Sequence, residues 1–434
     1  METQVGPILI VTPERDAIVA DRETTLDVLV RIQAPDERPA AARERNALNL
    51  ALVLDRSGSM DGRPLEEAKR SAELVVGSLT PTDRVCVVVY DQRPRVLVPS
   101  TRVTDPAAIR SALRRIVSGG NTDLHAGWRS GVEEARPHSA VGALTRVLLL
   151  SDGQANAGLT DAAAIAAECG VAAAAGITTS TYGLGHSFNE DLMTRMAQLG
   201  EGQAWYGETA DDLHEPFAAE LELLDALYAR NVLLHIAPAA GVAVEMRNSH
   251  AAVGAGTWRL PSLALGAESW ALLSLRVPRG WASTAPLLRV SAGYQDLRGR
   301  QYELTSPPLA LPVLGGDAWR ALPQDELVAR RAAELAAADL QRRAREAVRG
   351  GDWPLVDLLL RDARRLAAAS PWAGDVVAEL EHLAAQRDSI RFMKEAAFAT
   401  HRMNTRLASK VEDAADYDDP AWMKRKRRQG RAGA

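Results

Sequence analysis

A chain of 434 residues with 47% apolar residues is long enough to hold two or three domains, each with its own buried core. Its net charge of −5 is mild, with both signs mixed along most of the chain, so no nucleic-acid partner is expected. Two cysteines, Cys86 and Cys169, exclude a secreted disulfide framework, and no uninterrupted apolar run reaches the roughly 18 residues a membrane span needs.

Met1 to Val5 shows neither the basic region nor the apolar stretch of a secretory leader, which points to a cytoplasmic protein. Residues 24–33 alternate, with Leu26, Val28, Val30 and Ile32 on one face, and predict a half-buried strand. Ala34 to Arg45 reads as a linker. From 46 to 227 short apolar runs alternate with helical patterns. This predicts an α/β, doubly wound (Rossmann-like) domain with strands near 48–55, 83–90, 145–151, 177–184 and 202–206. Its helices are expected at about 63–79, 106–117, 123–137, 161–175, 189–199 and 210–227.

The period then switches to two, at Val232, Leu234 and Ile236, at Leu273, Leu275 and Val277, and at Leu288, Val290, Ala292 and Tyr294. These runs predict an antiparallel β-sandwich over 228–313. The strands within 1–45 have no other sheet nearby, so they are assigned to it, making the α/β domain an insertion. A helical region follows over 322–409, with Gly350-Gly351-Asp352 and Ser370-Pro371 punctuating its helices. Residues 410–434 carry an acidic group and then Lys424 to Arg428, and read as a disordered charged tail.

The strand ends carry the chemistry. Leu48 to Leu54 is an apolar run followed by Asp55-Arg56-Ser57-Gly58-Ser59, and Val147 to Ser151 is followed by Asp152-Gly153. Buried parallel strands deliver residues at their carboxyl ends to the ligand-binding edge of an open α/β sheet. The reading gives Gly58 the role of tightening the backbone so that Ser57 and Ser59 turn inward beside Asp55. The Gly-rich loop Ser118 to Asp123 offers Thr122 between them. Two carboxylates and three hydroxyls, without His or Cys, suit a hard cation such as Mg²⁺, with Mn²⁺ or Ca²⁺ as alternatives. His125, Asn156 and His186 are placed on the rim of this site as candidate partner contacts.

The set Asp55, Ser57, Ser59, Thr122 and Asp152 resembles, position by position, the metal-ion-dependent adhesion site of von Willebrand factor A (vWA) domains. Tyr182 to Gly185, Phe188 to Met193 and Gly202 to Tyr206 also look like that family, and the flanking sandwich and helices resemble its bacterial multidomain members. The resemblance implies Ser57, Ser59 and Thr122 as direct ligands, Asp55 and Asp152 as ligands direct or through water, and an open position for a Glu or Asp of a protein partner. It also implies work inside an intracellular multi-protein assembly. Family association alone adds a second reading, an accessory subunit of an AAA+ ATPase of the MoxR or chelatase type. Nucleophile-elbow, phosphate-loop, zinc-protease and paired-cysteine motifs are absent from the sequence, so an enzyme is not expected. A metal-dependent hydrolytic or defence effector is the alternative from another class.

Overall fold

The computed structural model describes residues 6–36, 46–139, 143–152, 155–184, 188–207, 212, 214–283, 285–367, 371–405 and 408–409. Most of the expected linker, the charged tail 410–434 and rim residue His186 lie outside the described residues. The chain divides into two units: Glu44–Ala226 forms one, and the segments on either side of it, up to Arg43 and from Leu227, form the other.

In the Glu44–Ala226 unit a six-stranded sheet runs in the order Pro94–Arg102, Arg84–Tyr90, Leu48–Asp55, Leu144–Ser151, Ile177–Leu184, Glu201–Gly207. Every neighbouring pair is parallel except the first, where Pro94–Arg102 runs antiparallel to Arg84–Tyr90. All eight residues of Leu48–Asp55 and all eight of Leu144–Ser151 are buried, which is why the runs Leu50 to Leu54 and Val147 to Leu150 are wholly apolar. Strand order reverses between these two, so the switch point lies between the strand ends that carry Asp55 and Asp152.

The antiparallel edge strand Pro94–Arg102 adds a sixth strand to the five expected. Its residues are half-buried or exposed and it contains Pro94 and Pro99, so neither an apolar run nor a clean alternation marks it.

Helices Leu124–Ala135, Ala162–Ala174 and Glu190–Leu199 begin at Asp123, Asp161 and Asn189. The side chains of these three residues accept from Ala126 N, Ala164 N and Leu192 N. Leu124–Ala135 lies close to the sheet because Gly127 and Gly131 face it. A Cβ at either would stand 2.4 Å from Tyr90 Cγ or Val53 Cγ2. Helix His214–Ala226 is held by a buried ion pair between Arg146 and Glu220. Glu220 also accepts from Ser180 Oγ at 2.8 Å and Trp205 Nε1 at 3.2 Å, so its charge is fully dressed. Cys86 and Cys169 are free and buried.

The second unit is a sandwich. One sheet orders Ile8–Pro13, Thr24–Gln33, Ala267–Val277 and Ala243–Met246, and the other Ala251–Gly254, Thr257–Leu260, Leu227–Pro238, Pro286–Asp296 and Gln301–Thr305. The alternating sets named from the sequence face inward into one core, Val28, Val30 and Ile32 among them. Helix Glu326–Arg349 attaches through Arg331, which pairs with Glu268 and Glu334 and lies 4.7 Å over the Trp270 ring. Helices Trp353–Ala367, Pro371–Gln386 and Ser389–Thr405 follow. The helical reading to 409 is corrected at its end: Ala408–Ser409 is a short strand against Ala267 and Glu268. Among the described residues no helix is long and apolar enough to cross a membrane.

Candidate metal centre

Asp55 ends its strand fully buried. One carboxylate oxygen accepts from Ser57 N at 2.8 Å and the other from Ser151 Oγ at 2.8 Å. The chain then makes a 3₁₀ turn over Gly58–Met60, which brings Ser57 Oγ to 3.1 Å from Ser59 Oγ, and Ser59 Oγ donates to Asp152 Oδ1 at 3.0 Å. A continuous run of hydrogen bonds, Asp55 to Ser57 to Ser59 to Asp152, therefore links the two strand ends. Gly58 does not act as the sequence suggested. Its φ is not left-handed, and a Cβ there would meet only an ordinary 3.6 Å contact, so the 3₁₀ turn itself supplies the tightness.

Thr122 is buried on the adjoining loop. That loop is tied to the Asp55 turn by Gly58 N to Gly120 O at 3.0 Å and Gly119 N to Arg56 O at 2.8 Å. Gly120 has φ 81°, and a Cβ there would stand 2.9 Å from Asp91 Cβ, so glycine is required. Arg56 braces the arrangement from beneath: its guanidinium pairs with Asp91 and donates to Val117 O at 3.1 Å. Ser151, Arg56 and Asp91 were not singled out in the sequence. The one available signal was a polar residue, Ser151, closing an apolar strand.

Two carboxylates share this edge, and their side-chain and amide hydrogen-bond partners among the described residues, Ser57, Ser59 and Ser151, are all neutral. Burial raises the Asp55 carboxyl above its ordinary value. Burial first, and the Asp55 charge second, push Asp152 up to about 6. Such a pair lacks positive charge, and the hydroxyls around it are hard oxygen donors, so the residues fit a hard divalent cation. Among the described residues no group of three or more His, Cys, Asp or Glu side chains forms a metal cluster, and this set of two carboxylates and three hydroxyls is of another kind.

The three rim expectations separate. Asn156 is exposed beside Thr122. His125 is corrected: its ring is buried, 3.0 Å from Glu168 Oε2 on the helix Ala162–Ala174 and stacked on Trp128. His186 lies outside the described residues.

The family profile for the von Willebrand factor type A domain matches residues 49–218. The Glu44–Ala226 unit is a vWA domain. An uncharacterized Synechocystis protein, sll0103, is 30% identical over 231 residues, 53% of this chain and 53% of that protein, so the match spans about half of its length. The fold likeness reaches beyond the vWA domain. A von Willebrand factor type A protein from Catenulispora acidiphila superposes with a TM-score of 0.69 at 17% identity, covering 88% of this chain and 90% of that one. The ArnB paralog VWA2 from Sulfolobus acidocaldarius gives 0.62 at 16% identity, covering 93% and 100%. At such identities the likeness is one of fold.

Proposed function

We propose that the vWA domain is a metal-dependent protein-binding module, in which Asp55, Ser57, Ser59, Thr122 and Asp152 hold Mg²⁺ and a partner's Glu or Asp completes the site. The observation that carries this reading is that Asp55, Ser57, Ser59 and Asp152 meet at the switch point, with the Thr122 loop tied to the Asp55 turn and with two carboxylates left without a cationic partner among the described residues. When bound, the cation supplies positive charge that an incoming carboxylate can reach. The chain's own residues do the rest. Ser151 and the Ser57 amide fix the Asp55 carboxylate, Asp152 orients the Ser59 hydroxyl, and the Arg56–Asp91 pair keeps the loops in register. Ser57 and Ser59 are tied to each other and to a carboxylate, an arrangement suited to binding a cation rather than to activating a nucleophile. Work as one component of a cytoplasmic multi-protein assembly fits a binding module that carries a sandwich and helices besides.

The test is affinity capture from a lysate of the source organism with the whole chain, in Mg²⁺ and in EDTA, alongside Asp55→Ala. Capture of a partner lost in EDTA and in the variant supports the mechanism. A partner retained by a folded Asp55→Ala protein in EDTA refutes it.

A further inference from the structure

The loop after Asp152 makes one contact that the metal-ligand set does not explain. Asn156 Oδ1 accepts from Thr122 N at 3.0 Å, and the Asn156 and Ala157 amides both donate to Thr122 O at 3.2 Å. Thr122 is buried, so its backbone polar groups must find partners within the protein, and these three bonds satisfy both of them. These bonds use the backbone of Thr122 and leave its hydroxyl out. Asn156 itself is exposed and reaches no core.

The turn that presents it is specified locally. Gly158 has φ 68°, and a Cβ there would stand 2.3 Å from Asp123 Oδ2, so only glycine lets this loop lie against the residue that follows Thr122. Asp123 is held on its other side by capping the helix Leu124–Ala135 and by its amide, which donates to Asp91 O at 2.8 Å.

The structure assigns Asn156 as a positioning residue: by accepting the Thr122 amide hydrogen it fixes the Gly-rich loop to the Asp152 loop and sets where the Thr122 hydroxyl stands. It acts through Thr122 and needs no contact with a cation or a partner. This deepens the proposed metal-dependent binding and rests on that reading for its effect on affinity, while the clamp itself is a property of the metal-free chain.

Two variants of the whole chain separate the roles. Asn156→Ala removes the acceptor, and Asn156→Asp keeps one. Hydrogen exchange over residues 118–126 in EDTA reads the clamp directly, and titration with Mn²⁺ followed by electron paramagnetic resonance reads the site. Exchange in this segment should accelerate in Asn156→Ala and stay at the wild-type rate in Asn156→Asp. The Mn²⁺ dissociation constant should rise by about 10–100-fold in the first, as for other residues that orient metal ligands, and stay within a few-fold in the second. An Asn156→Ala protein with unchanged exchange overturns the assignment, as does an Asn156→Asp protein as impaired as Asn156→Ala. If the wild-type chain binds no Mn²⁺ the proposed function falls, and the exchange measurement alone decides the clamp.

Discussion

Replacing Asp152 by Asn should make the metal-free vWA domain more stable while abolishing its response to Mg²⁺. Burial and the nearby Asp55 charge raise the Asp152 carboxyl from 3.8 to about 6, so between these values the folded state holds a proton that the unfolded chain has released. Stability therefore declines as pH rises through that window and stays lower above it. At about 1.4 kcal/mol per pH unit, ionised Asp152 costs the metal-free fold on the order of 3 kcal/mol at pH 7.5. Asn keeps the oxygen that accepts from Ser59 and carries no charge, so it recovers this amount. For a domain of this size that is roughly 6–12 °C in unfolding temperature. Calorimetry of both proteins in EDTA at pH 7.5 and pH 4, and in saturating Mg²⁺ at pH 7.5, reads each part. The variant should unfold later than wild type in EDTA at pH 7.5, converge with it at pH 4, and gain nothing from Mg²⁺. A variant less stable than wild type in EDTA at pH 7.5, or one stabilised by Mg²⁺ as wild type is, refutes the reasoning.

Glu220→Ala leaves Arg146 buried without its counter-charge and should cost about 3–5 kcal/mol in urea unfolding of the vWA domain; a loss below about 1 kcal/mol would show that the pair is not needed. Gly127→Ala drives a methyl group against the ring of Tyr90, the residue paired in register with Asp55 on the neighbouring strand. The expected loss is about 1–3 kcal/mol of stability together with a weaker Mg²⁺ response, both visible by thermal unfolding with and without the ion. In the sandwich, burial pushes His250 below the ordinary histidine value of 6.5 while its Nε2 bonds Trp270 O. The neutral ring contributes stability that is present above about pH 6.5 and lost as pH falls, since the unfolded chain takes up the proton. His250→Gln should flatten the sandwich's unfolding profile between pH 7.5 and 5, and an unchanged profile would remove His250 from the account.

The parts legible in the sequence were those where one physical demand dominates. Leu48 to Leu54 and Val147 to Leu150 are buried on both faces, so nearly every position is apolar, and the polar residues that end the runs stand out as candidate ligands. The inward positions of the sandwich alternate because each sheet has one face in the shared core. Pro94–Arg102 was invisible because an edge strand answers to neither demand and tolerates proline. His125 stands close to Thr122 in sequence, but its ring is buried against Glu168. Asn156 reads from the sequence as a rim contact. The sequence shows that asparagine suits a turn, and only the fold shows which amide its oxygen serves.

Thr24–Gln33 finds its partner in Ala267–Val277, with the whole vWA domain between them in the chain. During synthesis the vWA domain has all its strands once residue 226 has emerged, and it can fold while the sandwich has only Ile8–Pro13 and Thr24–Gln33 of the strands named above. The early strand has only Ile8–Pro13 to pair with until then, for a wait on the order of tens of seconds at ordinary translation rates. That interval leaves Leu26, Val28, Val30 and Ile32 exposed on a nascent hairpin. Slowed translation between codons 34 and 277 should therefore lower the yield of native protein through the sandwich and leave the vWA domain intact.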